Sequence, residues 1–243
     1  MGKLDESVII VSGGSRGIGA QICRTLASEG AKVVVGDVLD DDGQSVAQEI
    51  GGTYVHLDVT DPDSWTAVVA TATSTYGRLS GLVNNAGVVG FTPVGGTSLE
   101  EWDRIIAVNL TGVFLGMESA TPALKANGSG VIVNLSSTAG MQGYSNLAAY
   151  VASKWGVRGL TKAAALDLGP SNIRVVSIHP GGIRTPMTAG LDEKAYSRQP
   201  IARIGEPEEI AKLALFLIAD ATYSTGTEFI ADGGATVGQI LNV

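Results

Sequence analysis

Residues 7–19 read S-V-I-I-V-S-G-G-S-R-G-I-G, and this stretch decides the fold. Its first six residues form a short, β-branched apolar run that stops at glycine. Such a run suits a parallel strand covered on both faces. Glycines follow, among them Gly13, Gly17 and Gly19, at the mouth of an amphipathic pattern over 17–28 that carries Ile18, Ile22 and Leu26 on one side. Strand, glycine turn and helix in that order let a backbone approach a pyrophosphate, which then faces the free N–H groups and positive end of the helix. The spacing is GxxxGxG rather than GxGxxG.

Outward from there the same cycle repeats. Strands are expected over 32–36, 54–57, 79–83, 131–135, 173–178 and 227–230. Helices are expected over 40–50, 62–76, 99–124, 150–168 and 207–218. Pro62 fits the first helical position after an Asp61 cap. Alternation of this kind gives right-handed crossovers and a doubly wound parallel sheet of about seven strands, with helices on both faces. No composition shift splits the chain, so 1–243 is read as a single α/β domain. The aperiodic segment 181–205, lying past a strand end, is expected to be a lid over the ligand crevice.

Bulk properties narrow the function. The net charge of -8 and the lack of a basic stripe argue against a nucleic-acid partner. The lone cysteine, Cys23, precludes an intrachain disulfide and sits in an apolar helical pattern. No apolar run reaches membrane-spanning length and the start of the chain is acidic, so a cytoplasmic protein without a membrane partner is expected. Only His56 and His179 are present, in no metal-ligand spacing.

Asp37 stands at the end of the second strand, about twenty residues past the glycine loop, where a carboxylate accepts from both ribose hydroxyls of NAD and repels the 2′-phosphate of NADP. Arg16 is the rival signal, since a loop arginine pairs with a 2′-phosphate. Asp58 after the third strand is placed against the adenine. Asn85, Ala86 and Gly87 in N-N-A-G are placed as the floor of the crevice, though either group also reads as ordinary turn. Tyr150 and Lys154 are spaced i, i+4 and share a helix face. A neighbouring ammonium favours a phenolate, so the pair makes a proton donor or acceptor for an alcohol/carbonyl couple. Ser136 and Ser137 follow the fifth strand, at the edge where this architecture holds ligands.

Together these motifs resemble the short-chain dehydrogenase/reductase family. The likeness rests on S-G-G-S-R-G-I-G at 12–19, N-N-A-G at 84–87, V-N-L-T-G at 108–112, N-L-S-S at 134–137, Y-V-A-S-K at 150–154 and H-P-G at 179–181. It covers essentially the whole chain in the family's order; the one departure is Ser12, where threonine is usual. The resemblance implies Tyr150 as acid/base and Lys154 as the residue that holds the nicotinamide ribose and lowers the tyrosine pKa. It implies Ser137 as the hydrogen-bond donor to the substrate oxygen and Asn109 as holder of a relay water. Asn109 also reads as a helix-kink side chain. It further implies cofactor contacts from Gly13, Ile18, Asp37, Asp58, Val59, Asn85, Ile183 and Thr185, with Ser15, Arg16, Gly17, Gly19, Ala86, Gly87, Pro180 and Gly181 beside them.

Several stretches, among them G-D-V-L-D-D-D-G at 36–43 and H-P-G-G-I-R-T-P-M-T at 179–188, are similar to bacterial 3α/20β-hydroxysteroid dehydrogenases. A substrate pocket is placed at Val89, Ser137, Thr138, Tyr144, Met187 and Tyr196. It is mostly apolar, with no cation placed for a carboxylate or phosphate, and suits a hydrophobic secondary alcohol or ketone. The function expected is NAD-dependent interconversion of the two. A 3-oxoacyl-carrier-protein reductase and a nucleotide-sensing regulator on the same fold are the alternatives. The family also implies a homotetramer or a dimer. Ala148, Ala149, Ala152, Gly156 and Gly159 would let helices of two subunits approach closely, unless they lie against their own sheet.

Overall fold

The structure is a computed structural model and describes residues 2–238. Residue 1 and residues 239–243 of the expected 1–243 unit lie outside the described residues.

Seven strands form one parallel sheet. They are β1 (Val8–Ser12), β2 (Lys32–Asp37), β3 (Thr53–His56), β4 (Gly81–Asn84), β5 (Gly130–Leu135), β6 (Ile173–Pro180) and β7 (Glu228–Ala231), in the order β3-β2-β1-β4-β5-β6-β7. Helices α1 (Gly17–Ser28), α2 (Asp40–Ile50), α3 (Pro62–Tyr76), α4 (Leu99–Ile106), α5 (Gly112–Ala126), α6 (Ala148–Leu168) and α7 (Pro207–Ala219) cover it. Alternation along β1 divides the core. Ile9 and Val11 face a layer built on Ile22 and Leu26 of α1 and Ile210 and Leu217 of α7. Val8 and Ile10 face Trp65 and Val68 of α3, Met117 and Leu124 of α5 and Val157 of α6. Both faces of the strand are therefore dry, which is why its sequence is continuously apolar rather than alternating.

Strand order reverses between β1 and β4, and it is past the carboxyl ends of strands at such a switch point that this architecture leaves a crevice. Ser12 ties the two ends together: its Oγ accepts from the backbone N–H of Asn85 at 3.1 Å and of Ala86 at 3.3 Å. Serine thus does at this point what any hydroxyl could.

Two boundaries differ from expectation in ways that matter. Leu79 is fully buried but precedes β4, because the ladder begins only where Gly81 pairs with Ile9 and Val131. The helix expected over 99–124 is interrupted by a π-helical turn at Ala107–Thr111. Its cause is Asn109, whose fully buried amide leaves the helix to accept from Val88 N at 2.8 Å and donate to Val88 O at 2.9 Å. A side chain that recruits distant backbone makes such a bulge worth its distortion. Among the described residues, Leu99–Ala126 is also long and apolar enough in composition to cross a membrane. The π turn divides it, and Val113, Met117, Ala120 and Leu124 are buried in the core. Of the small residues on α6, Ala149 is buried, and a Cβ at Gly156 would meet Leu110 of the same chain at 2.6 Å; Gly159 faces open space.

Candidate active site

A cavity of about 540 Å³ runs along the carboxyl edge of the sheet from Asp37 to Tyr150. Its phosphate end is the glycine turn. Gly13 has φ +64°, and a Cβ there would lie 2.7 Å from Ala86 Cα; one at Gly19 would lie 2.0 Å from the Gly13 carbonyl. Only glycine permits both approaches. Helix α1 has no side-chain cap, so the N–H groups of its first turn stay unpaired beside Gly17 and Ile18 in the cavity wall. That cradle fits a pyrophosphate.

Beyond it, Asp37 is 9% exposed and borders the cavity. Its Oδ2 accepts from Ser15 N at 3.1 Å and Ser15 Oγ at 2.5 Å, and its Oδ1 from Leu39 N at 3.1 Å. A carboxylate offers about four acceptor positions, so one remains for a ribose hydroxyl rather than the two expected, because Ser15 and Leu39 take the others. Arg16 is ion-paired with Asp42. Asp58 borders the cavity too, with Oδ1 held by Thr60 N and Oγ1, and Val59 lies next to it. Asn85 donates from Nδ2 to the carbonyls of Ser12 and Gly13, so it braces the turn as well as lining the floor with Ala86 and Gly87. Pro180, Gly181, Ile183 and Thr185 close the opposite side. Of the expected cofactor contacts only Gly19 lies outside the wall; it serves beneath it, in the contact between helix and turn.

At the other end α6 brings Tyr150 and Lys154 to the cavity opposite Ser137, which follows β5. Lys154 is nearly fully buried. Its Nζ donates to the Leu135 carbonyl at 2.8 Å and lies 5.6 Å from the Tyr150 ring centroid. Burial pulls the Lys154 pKa down to about 8. Burial also pushes the Tyr150 phenol above its ordinary value, against a hydrogen bond with Ser137 that lowers it. Desolvation sets the direction of the Tyr150 shift, and Ser137 is the group that opposes it. Ser137 Oγ accepts from Ala139 N at 3.1 Å, which fixes the oxygen and leaves its proton to donate. Asn109 makes no bond to Lys154. A Cβ at Gly87 would lie 3.4 Å from Asn109 Oδ1 and 3.7 Å from Lys154 Nζ, so the two groups face one point.

The expected substrate pocket is only partly assembled. Ser137 and Met187 line the cavity. Thr138 is buried and its Oγ1 accepts from the Tyr144 hydroxyl at 3.0 Å, a pairing that braces the loop. Tyr196 is turned onto the backbone of Gly182, which has no Cβ to block it. Val89 does not reach the cavity wall, where its neighbour Val88 stands. Val38, Leu39, Leu57 and Val108 supply apolar wall that the residue reading missed. Val38 and Leu39 directly follow the Asp37 strand end, which is the signal that could have found them.

A family model described as enoyl-(acyl carrier protein) reductase matches residues 13–236. The chain is 47% identical to the trans-4-hydroxycyclohexanecarboxylate dehydrogenase of Sinomonas cyclohexanicum, over 98% of this chain and 96% of that one. It is 48% identical to the 3-alpha-(or 20-beta)-hydroxysteroid dehydrogenase of Mycobacterium tuberculosis, over 99% and 94%. The crystal structure of a short-chain type dehydrogenase/reductase from Mycobacterium marinum superposes with a TM-score of 0.92 at 36% identity, covering 97% of each chain. With the glycine cradle, the Asp37 strand end and the Tyr150–Lys154–Ser137 grouping, these matches make the chain an NAD(P)-dependent oxidoreductase that belongs to the short-chain dehydrogenase/reductase family.

Proposed function

We propose that the protein is an NAD-dependent dehydrogenase of a hydrophobic, ring-borne secondary alcohol, and reduces the ketone in the reverse direction. One observation carries this reading: Tyr150, Lys154 and Ser137 share a cavity with the glycine cradle and Asp37. Both relatives described above are named for ring alcohols, one a cyclohexane and one a steroid. The glycine cradle and Asp37 would hold NAD, which would supply the hydride acceptor for the carbinol carbon. Ser137 Oγ donates to the substrate oxygen and fixes its position. The Tyr150 phenolate oxygen takes the alcohol proton in oxidation and returns it in reduction. Lys154 holds the cofactor ribose and keeps positive charge beside the phenolate. Asn109 shares the point near Gly87 with Lys154 and completes a proton path there. Hydrogen bonds from Ser137 and Tyr150 strengthen as negative charge grows on the substrate oxygen, which is where they assist the reaction.

NAD is preferred over NADP because Asp37 stands where a 2′-phosphate would come, while Asp42 already neutralises Arg16. That preference and the acidic surface both oppose the carrier-protein reductase alternative. In this reading 181–205 is the substrate lid of a cytoplasmic, tetrameric enzyme. The test is a turnover screen of the purified protein with NAD against cyclic alcohols and hydroxysteroids. A protein that oxidises none of them, at any pH where it is folded, is not this enzyme.

A further inference from the structure

We propose that His179 is a positioning residue for Ser137: its imidazole extends the β5–β6 pairing by one residue and clamps the serine's backbone. The inference rests on the reading above that Ser137 holds the substrate oxygen. The ladder between β5 and β6 pairs residues up to Leu135 and Ile178, and its last backbone bond runs from Ser136 N to the Ile178 carbonyl at 2.8 Å. Beyond that point the strands part, and Ser137 has no backbone partner on β6. The His179 ring takes over. Its Nδ1 lies 3.1 Å from the Ser137 carbonyl, which also receives the Gly140 N–H at 2.9 Å.

A carbonyl only accepts, so Nδ1 must carry the proton. Nε2 is then a lone pair, and it accepts from Ser177 Oγ at 2.9 Å. Both ring nitrogens are satisfied in one tautomer, inside a fully buried ring. Burial also pushes the His179 pKa below its ordinary value, so the ring stays neutral. The flanking carbonyls of the same segment are held from α6: Lys154 Nζ takes Leu135, and Arg158 Nη1 stands 3.5 Å from Gly140. His179 is the clamp on the residue whose side chain matters.

Two experiments test this. The chain has two histidines, and His56 is exposed, so a ¹H–¹⁵N spectrum of histidine-labelled protein resolves His179 directly. The expected spectrum shows one neutral ring protonated at Nδ1; protonation at Nε2 alone would overturn the proposal. This readout is independent of substrate. The second experiment is kinetic, with NAD and the alcohol turned over fastest in the screen above. Asparagine places an amide N–H near the Nδ1 position, whereas glutamine reaches toward Nε2. His179→Gln is expected to lower kcat about ten- to a hundredfold, as a displaced reacting group does, with the NAD dissociation constant within about twofold. His179→Asn is expected to recover to within about threefold of the parent. Equal kcat for the two variants, or a loss of NAD affinity that matches the loss of kcat, overturns the clamp. Ser137→Ala is the control. If Ser137→Ala turns over normally, the assignment of Ser137 fails and His179 falls with it. If Ser137→Ala is slow while the Asn and Gln variants behave alike, only the His179 inference fails.

Discussion

At the residue scale the proposed chemistry turns on the protonation of Tyr150. Burial raises its pKa in the protein alone, while the positive nicotinamide ring of bound NAD favours the phenolate. Alcohol oxidation is therefore expected to rise with pH along one limb, with a midpoint below that of Tyr150 in the free protein. Lys154→Ala should move that limb upward and weaken NAD binding as well. Tyr150→Phe keeps the ring and loses the hydroxyl, so turnover is expected to drop by about 10²–10⁴-fold while NAD still binds. Turnover above about a tenth of the parent rate would remove Tyr150 from the acid/base role. The cofactor end makes a separate prediction. kcat/KM should favour NAD by at least about tenfold, roughly 1.4 kcal/mol, and Asp37→Ser should narrow the gap. Equal efficiencies in the parent would shift the specificity argument to Arg16. Both sites were legible in the sequence because their parts are local: a glycine turn, a strand end, and two residues one helical turn apart. The substrate wall was not. Thr138, Tyr144 and Tyr196 lie close to the site in sequence, but their side chains are spent on each other or on Gly182.

Among the elements, the π turn at Ala107–Thr111 shows where periodicity misleads. Apolar residues recur on both sides of it, so a pattern search reads one helix from 99 to 124. Asn109 in mid-helix is the one local signal of the break, but its cause is a long-range bond to Val88 that the pattern does not show. Asn109→Leu leaves the half-buried Val88 N–H and carbonyl without their partner, at a cost of up to about 1–3 kcal/mol each. Urea unfolding should show a lower midpoint with an unchanged slope; an unchanged midpoint would mean that water replaces the amide. The junction of α6 with β7 makes a different prediction. Burial pushes the Glu228 carboxyl up, but Arg158 and Lys162, each 2.7 Å away, outweigh it and hold it at about 2. A depressed carboxylate contributes stability above its unfolded pKa and loses it as pH falls through the folded one. The contribution is thus complete above about pH 4.5 and vanishes toward pH 2. Glu228→Gln should lower Tm at neutral pH and flatten its decline across that window. A parallel decline in both proteins would show that the pairing carries no net stability.

For the whole molecule, two sets among the exposed apolar side chains of the described residues bear on assembly. Helices α4, α5 and α6 expose Leu99, Phe114, Trp155 and Leu166, and the far end exposes Phe216 of α7 and Ile230 of β7. If each set pairs with its own copy about a twofold axis, the result is the proposed tetramer, with three such axes. Sedimentation equilibrium should give close to four times the 24.8 kDa chain mass, and Phe114→Glu combined with Trp155→Glu should give a smaller species. A parent protein that sediments as a monomer at micromolar concentration would rule out this assembly. The sheet order adds a consequence for handling. Strand β7 is a border strand, and among the described residues no strand covers its outer side. Among the described residues its outer N–H and carbonyl groups face no strand, and with Ile230 exposed among them they form a template on which an extended chain can stack. Dilution that strips a neighbour from this border would leave the separated subunits adhesive. Activity lost on dilution would then return only in part on reconcentration, because some of the subunits would have aggregated instead of reassembling.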